Sequence, residues 1–289
     1  MEPNLPLLQQ KLTQSVNLPS LAKNIHLLLQ ALADDSLSYQ QLADVIKHYP
    51  SITARLIFLA NSPWSAPITP IINIEQACAR LGPAVVKSIS IATAISSAFD
   101  TRKCSLFNPI QLWTSAMLVS QGAGLLAEKV SGHIIYNELE PTAQTAGLLY
   151  NLGLLWLADN LPTETGNAFQ LQIDNPLIFS VNDSLKQCIG TDYCEIGGWI
   201  AKQIRLPEVL TIAIQKQQDD MYQASSWEIT LLVGAAAQMV AALYKQDNIA
   251  PNDHRLSLLG VEAGIHKEVF QQLGDNFDKT QELARTLFT

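Results

Sequence analysis

Apolar residues recur at helical spacing along most of this 289-residue chain. In the segment 226–244, for example, Ile229, Leu232, Val233, Ala236 and Val240 fall on one face of a helix. No stretch alternates polar and apolar residues for long enough to predict a β-hairpin. This periodicity limits the chain to an all-α fold.

Local signals predict where several helices begin and end. Ser38 and Gln41 have the spacing of a capping box, in which each side chain bonds the backbone N–H of the other residue. Pro50 is expected to stop that helix, and Ser51 is expected to cap the next one. The segment 163–183 is predicted to be a connection with broken helix. Further helices are predicted at residues 21–32, 83–98, 110–130, 142–159, 195–204, 207–218 and 226–244.

A break in the pattern at residues 100–109 suggests a division of the chain. Arg102 and Lys103 are adjacent cations there, an Asn-Pro pair follows them, and no apolar stripe runs through the segment. The chain is therefore predicted to consist of an N-terminal helical subdomain, residues 1–105, and a second helical subdomain with a C-terminal extension, residues 106–289.

Charge and composition exclude several classes of function. The chain has 18 Lys and Arg against 26 Asp and Glu, a net charge of −8, so it lacks the basic excess needed to bind nucleic acid. The N-terminus has no basic region before an apolar stretch, and the longest uncharged segments contain Asn and Gln, so neither a secretory signal nor a membrane span is predicted. The expected location is the cytoplasm, with all four cysteines reduced.

The sequence contains none of the common catalytic motifs. It has no glycine-rich phosphate loop, no nucleophile elbow and no His-Asp pair. The five histidines are spread over the chain and are expected to lie at the surface or at helix ends. No sequence motif therefore supports a conventional hydrolase or nucleotide-binding function.

Several segments, taken in order, point to one family. They are LPSLAKNIHLLLQALADDSLSYQQLADVI, SITARLIFLANS, INIEQACARLGPAVVKSISIATAI, LWTSAMLVSQGAGLLAE, GLLYNLGLLWL, GTDYCEIGGWIAKQIRLPEVLTIAIQ and the last long helix. Together they cover roughly residues 15–245, and they resemble the HDOD family, a relative of the HD metal-dependent phosphohydrolases that is found in bacterial signalling proteins. The resemblance implies an N-terminal helical subdomain packed on an HD-phosphohydrolase-like helical core.

The same resemblance implies that the metal ligands are missing. In active HD relatives, His and Asp side chains from separate helices hold metal ions that activate water against a phosphoester. Neutral hydroxyl and amide groups bind such ions poorly, so the resemblance implies a degenerate site with no catalytic residue, no metal and no cofactor. At the matching positions this chain has Thr114, Tyr150, Asn151, Tyr193, Gln217, Gln218 and Gln238.

Two interpretations of this polar set stay open. The side chains satisfy one another's hydrogen bonds in a helical core, or they line a relict pocket that still binds a small ligand such as a nucleotide. Asn61 and Ser62, at the end of SITARLIFLANS, are expected to be structural, with the Asn61 amide bonding the helix end and the Pro-rich turn after it.

The sequence thus predicts a non-catalytic regulatory module of bacterial signal transduction that acts through a protein partner in trans or through self-association. A small-molecule or nucleotide sensor is the alternative, and a metal-dependent phosphohydrolase is the least favoured. The candidate contact surfaces are the faces flanking residues 100–109 and the segment 252–289. In that segment Val261, Ile265, Val269 and Phe270 have helical spacing.

Overall fold

The computed structural model describes residues 28, 31–32, 37–63, 65–130, 139–247, 250, 254–262 and 264–288. Within these ranges the regular elements are helices and no strand occurs, which confirms the all-α prediction. The helix predicted at 21–32 lies mostly outside the described residues, although Leu28 and Leu32 are described and belong to the core.

Between residues 37 and 96, four helices form the N-terminal part of the fold that the structure describes. The capping box predicted at Ser38 is confirmed, with the Gln41 N–H donating to Ser38 Oγ (3.3 Å) and the Ser38 N–H donating to Gln41 Oε1 (2.9 Å). The first helix packs on the third, and the second packs on the third and fourth. These helices are α1 (Tyr39–Ile46), α2 (Pro50–Ala60), α3 (Ile74–Leu81) and α4 (Pro83–Ser96).

The start of α2 differs from the prediction. Pro50 is the first residue of the helix, Tyr49 stands at the N-cap position but its side chain does not cap the helix, and Ser51 lies inside the first turn. Proline suits a first helical position because its φ is preset and the N–H it lacks would have no partner there. The prediction that Ser51 caps this helix is therefore wrong.

The remaining helices build the larger part of the fold around α5. This helix packs most closely against α6, α12 and α14. The helices are α5 (Pro109–Ala127), α6 (Leu139–Leu149), α7 (Gly153–Asn160), α8 (Pro162–Asp174), α9 (Val181–Ile189), α10 (Tyr193–Gln203), α11 (Glu208–Lys216), α12 (Trp227–Tyr244), α13 (His254–Leu258) and α14 (Ile265–Phe288).

Two predictions for this part need correction. The single helix expected at 142–159 is broken after Leu149, where the Leu152 N–H bonds Leu149 O (3.2 Å) in a tight turn. The segment 163–183, expected to be a broken connection, is mostly the helices α8 and α9. Gly166 lies within α8, and one glycine costs a helix only about 1 kcal/mol, which the burial of neighbours such as Ala168 offsets.

The central helix α12 is long and apolar enough to cross a membrane by length and composition, as is the pair α3 and α4 if its 115° bend is ignored. Of the apolar stretch in α12, 67% is buried inside the fold. That burial is typical of a core helix, whose apolar surface is covered on all sides by its neighbours.

The C-terminal segment folds back on the core. Val261, Val269 and Phe270 are 7%, 4% and 7% exposed, and α14 packs along α5. The apolar face that the sequence suggested as a contact surface is therefore covered by the chain itself. Val269 and Phe270 lie in α14 as expected, but Val261 precedes the helix, and the face that these residues form is covered within the chain.

The joint at residues 100–109 contains a short 3-10 turn, Thr101–Lys103, that contacts α7. Lys103 forms an ion pair with Asp159 at the end of that helix. Contacts also cross the predicted boundary elsewhere, since Ser88 Oγ in α4 lies 3.1 Å from Thr145 Oγ1 in α6. The division into residues 1–105 and 106–289 remains a prediction.

The four cysteines are free thiols, and three of them are buried. Burial raises the pKa of Cys78 to about 11 and also raises the pKa values of Cys104, Cys188 and Cys194. Because the thiolate is the nucleophilic form, none of these cysteines has the character of a catalytic residue.

Candidate functional site

A buried polar cluster lies where four elements meet: the start of α5, the break between α6 and α7, the start of α10 and the end of α11. Five of the seven residues singled out in the sequence belong to it, and none of the five is more than 8% exposed. These are Thr114, Tyr150, Asn151, Tyr193 and Gln217.

A close backbone approach brings these elements together. A Cβ placed on Gly153, the first residue of α7, would lie 2.0 Å from the carbonyl oxygen of Tyr193. No side chain fits that space, so glycine lets the turn at Tyr150 and Asn151 press against the start of α10. The second glycine of GLLYNLG is the sequence signal for this contact.

The amides of the cluster bond backbone carbonyls of neighbouring elements. Asn151 Nδ2 donates to the carbonyl oxygen of Leu112 in α5 (3.1 Å). Gln217 Nε2 donates to the carbonyl oxygens of Tyr150 (2.7 Å) and Ile214 (3.2 Å). Both amide groups thereby tie the turn between α6 and α7 to the helices around it.

Thr114 Oγ1 and Gln217 Oε1 differ in their hydrogen bonding. Thr114 Oγ1 donates to the carbonyl oxygen of Ile110, one turn earlier in α5 (2.7 Å). Gln217 Oε1, by contrast, is buried and has no hydrogen-bond partner among the described residues. A buried acceptor without a partner is uncommon. Among the five residues of the cluster, Gln217 Oε1 is the one buried side-chain atom of this kind in the part of the chain that the structure describes.

The two tyrosines pack edge to face, with ring centroids 6.1 Å apart and planes at 90°. Gln218 Nε2 donates to the hydroxyl oxygen of Tyr193 (3.3 Å). Burial raises the pKa of both Tyr150 and Tyr193 well above the usual range, so both phenols stay protonated at neutral pH. The rings therefore present neutral hydroxyls and no phenolate.

Two of the predicted residues lie apart from the buried set. Gln218 is exposed and contacts the cluster through its bond to Tyr193. Gln238 is an exposed residue of α12 and is not brought into the cluster. On that helix it is Gly234 that faces the cluster, because a Cβ there would lie 2.3 Å from the carbonyl oxygen of Gln217.

Sequence reasoning missed the residues that support the start of α10. Asn182 Oδ1 accepts from the Tyr193 N–H (3.4 Å), and Asn182 Nδ2 lies 3.5 Å from Cys194 Sγ. Asp192 caps α10 by accepting from the Glu195 N–H (2.8 Å) and pairs with Lys186 Nζ (2.9 Å). Asp192 in GTDYCE has an N-cap signature that could have revealed it, whereas Asn182 has no comparable signal.

Arg255 also escaped prediction. It lies in α13 and is only 2% exposed, and its Nη2 donates to the carbonyl oxygen of Gln217 (3.3 Å). A cation at the last carbonyl groups of a helix is favoured by the helix dipole. The C-terminal extension thus supports the end of α11 and, through Gln217, the turn at Tyr150.

The donor set does not suit the metal ions of HD phosphohydrolases. Such ions need carboxylates to balance their charge and imidazoles to donate lone pairs, and the cluster offers neutral hydroxyls and amides. In the part of the chain that the structure describes, no group of three or more His, Cys, Asp and Glu side chains could hold a metal. The nearby carboxylate of Asp192 is already committed to its cap and ion pair.

A second polar site lies at the end of α2. Asn61 Nδ2 donates to the carbonyl oxygens of Ile57 (2.9 Å) and Ile71 (2.7 Å), and Asn61 Oδ1 accepts from the Ile71 N–H (2.8 Å). Ser62 is buried and donates to the carbonyl oxygen of Leu59 (2.7 Å). Asn61 itself is exposed, and the structural role of both residues stays a prediction.

The fold of this chain is similar to that of several solved structures. The chain is 21% identical to a protein of Marinobacter aquaeolei VT8 described as a candidate signal transduction protein, with a TM-score of 0.82 over 96% of this chain. It spans 61% of the length of that protein. An HDOD domain protein of Geobacter sulfurreducens is 20% identical, with a TM-score of 0.74 and 98% of each chain covered.

A protein of Shewanella amazonensis SB2B described as a candidate phosphohydrolase is 23% identical, with a TM-score of 0.72 and 97% of each chain covered. No curated protein matches the chain. The model of the HDOD domain matches residues 18–220, which include α1 to α11 and every residue of the buried cluster. The chain belongs to the HDOD family.

Proposed function

We propose that this chain is a non-catalytic HDOD signalling module that acts through protein contacts. The observation that carries the proposal is the bonding at the positions matched to HD metal ligands, where the amides of Asn151 and Gln217 donate to backbone carbonyls of neighbouring elements. The description of the Marinobacter relative as a candidate signal transduction protein supports the signalling context.

The chemistry of the cluster supports the non-catalytic part of this proposal. A hydrolytic site needs lone pairs directed at one point, or a group that titrates near neutral pH. Here the amide N–H groups point at backbone oxygens, and the raised pKa values keep Tyr150 and Tyr193 protonated. These residues fix the relative positions of four helices, and no reacting centre is needed to explain their arrangement.

The exposed apolar side chains suggest where contacts form. Ile68 and Ile72, in the loop between α2 and α3, are 102% and 78% exposed, and Leu177 and Ile178, between α8 and α9, are 93% and 71% exposed. Apolar groups gathered on a surface often mark contact sites. We therefore propose these two loops as contact surfaces instead of the segment 252–289, whose apolar face is covered by the chain itself.

Metal analysis and a phosphodiesterase assay test the proposal. Protein purified from cells grown with added manganese, iron and zinc is expected to contain far less than one metal ion per chain after dialysis against chelator. With these metals added back, it should hydrolyse bis(p-nitrophenyl) phosphate no faster than a heat-inactivated sample. Stoichiometric metal that survives dialysis, or turnover above that sample, would overturn the non-catalytic assignment.

A matched variant sharpens this experiment. Tyr150→His combined with Asn151→Asp restores an imidazole and a carboxylate at one turn, while Thr114 and Tyr193 stay in place. The double variant is expected to remain inactive because two ligands from a single turn do not make a metal site. Activity in the double variant would mean that the remaining positions supply ligands after all.

One observation favours a small-molecule sensor as a second candidate. Gln217 Oε1 is a buried acceptor without a partner among the described residues, so a ligand that donates a hydrogen bond would satisfy it. A thermal-shift screen of nucleotides tests this candidate with Gln217→Met as the control. A shift in the wild type that is lost in the variant would support the sensor.

A further inference from the structure

The end of α14 joins three elements that are distant in sequence. The ring of Phe288 stacks on Trp113 of α5, with centroids 4.2 Å apart and planes at 14°. The guanidinium carbon of Arg55 in α2 lies 4.8 Å from the centroid of the same ring. We call Arg55, Trp113 and Phe288 the clasp, because they link the N-terminal helices, the core and the C-terminal extension at one point.

The clasp holds a cation in an unfavourable setting. Arg55 is half-buried, its Nη1 has no hydrogen-bond partner among the described residues, and burial lowers its pKa. Helix α2 contains no carboxylate, and Glu282, nearly two turns before Phe288 in α14, accepts a hydrogen bond from Arg285. The Phe288 ring face is the partner described for this cation, and such contacts are weak compared with a buried ion pair.

The clasp also borders the buried cluster. Trp113 follows Leu112, whose carbonyl oxygen accepts from Asn151, and precedes Thr114, a member of the cluster. The same helical turn of α5 therefore contacts the cluster on one side and Phe288 on the other. A shift of this turn would change both contacts together.

We infer that α14 is a releasable strap, with the clasp as its release point and with its opening coupled to the buried cluster. Opening separates the tip of α14 from α2 and uncovers part of the α5 surface beneath it. This device goes beyond the proposed function, because it requires no partner and makes no assumption about catalysis.

Hydrogen–deuterium exchange on the full chain, read by mass spectrometry, tests the strap. Phe288→Ala is expected to raise exchange about tenfold both in the last two turns of α14 and in α2, with α12 unchanged as the internal reference. Arg55→Met keeps the length of the side chain and removes the poorly solvated charge, so it is expected to slow exchange in the same two regions. Lys279→Ala, at an exposed position of α14, is the control and should change neither.

Two results would overturn the strap. If Phe288→Ala affects only the last turn of α14 and leaves α2 unchanged, the helix end merely frays. If exchange in α12 rises by the same factor, the variant has lowered global stability and no separate opening exists.

A separate variant tests the coupling between the buried cluster and the end of α14. Asn151→Ala removes the bond to Leu112 and should raise exchange at the end of α14 several-fold. Unchanged exchange there would refute the coupling. None of these readouts depends on metal content or phosphodiesterase turnover, so failure of the strap and failure of the proposed function are distinguishable.

Discussion

Two polar sites in this molecule use the same chemistry in different surroundings. At the end of α2, the exposed Asn61 amide bonds backbone groups of Ile57 and Ile71. In the core, the amides of Asn151 and Gln217 bond backbone carbonyls from α5 and from the turn before α7. In both places a side-chain amide satisfies backbone that is not fully bonded within a helix.

The difference between the sites is access to water. If the Asn61 amide is removed, water can bond the freed backbone groups, so the loss is the modest net value of the hydrogen bonds. If the Gln217 amide is removed, the carbonyl of Tyr150 stays buried without a donor and bears the full desolvation cost. Similar bonds should therefore have unequal effects on stability.

The largest effect is expected from Gly153→Ala, which breaks the core site at its closest contact. The added Cβ would lie 2.0 Å from the carbonyl oxygen of Tyr193, so the backbone of α7 or α10 must move. We expect a loss of about 3 kcal/mol or more in the free energy of unfolding, measured by urea denaturation. Gly166→Ala in α8 is the control: its Cβ would lie 3.9 Å from Cys104 Sγ, an ordinary van der Waals contact, so the change should be neutral or slightly stabilising.

Gln217→Ala should have the next largest effect. It removes the donor to Tyr150 and leaves a cavity, for an expected loss of about 2 kcal/mol in the free energy of unfolding. Gln218→Ala is the neighbouring control, and because Gln218 is exposed its cost should stay below about 0.5 kcal/mol. Equal losses in the two variants would contradict the importance of burial.

A dependence of stability on alkaline pH should distinguish the core site from the site at α2. An unfolded tyrosine ionises near pH 10, whereas burial raises the pKa of folded Tyr150 and Tyr193 above that value. The unfolded state loses its protons first, so this stability is complete below about pH 10 and falls as the pH rises, by about 1.4 kcal/mol per pH unit for each tyrosine.

The variants Tyr150→Phe and Tyr193→Phe test this dependence by urea denaturation between pH 9 and 11. Each substitution should remove about 1.4 kcal/mol per pH unit from the slope above pH 10. Asn61→Ala should leave the slope as it is in the wild type, since no titratable group takes part in its bonds. A double Phe variant with the wild-type slope would rule out the linkage.

The smallest effect is expected from Asn61→Ala. Three hydrogen bonds are lost, but all three are exposed to solvent, so the expected cost is about 1 kcal/mol in the free energy of unfolding. Ser62→Ala provides the comparison, because Ser62 is buried next to it. A cost for Asn61→Ala above that of Gln217→Ala would reverse the proposed order of the two sites.

The sequence was most informative where local chemistry decides the structure. The capping box at Ser38 and the stripe of α12 follow from spacing alone, and both occur in the structure. The sequence was misleading where tertiary packing decides where a helix begins or ends. Ser51 was expected to cap α2, but Pro50 is the first residue of that helix. The break after Leu149 coincides with the close packing of Gly153 on α10, and no Gly or Pro stands at 150–152.

For the candidate site, the resemblance to a family identified five residues that do meet in the core. It could not reveal that Gln238 is exposed or that Arg255, from beyond the matched region, supports Gln217. Those facts depend on how α12 and α13 are rotated against α11, and rotation is set by long-range packing such as the contact at Gly234. A one-dimensional pattern carries no information about such contacts.

Three buried cysteines allow local opening of this chain to be followed by thiol alkylation. Cys78, Cys104 and Cys194 are each no more than 2% exposed, and each has a raised pKa, so a thiol reagent in solution can react with them only after the surrounding helices part. They belong to different regions, with Cys78 in α3, Cys104 at the joint and Cys194 in α10. The order in which the three are alkylated would therefore record the order in which those regions open, with no probe introduced.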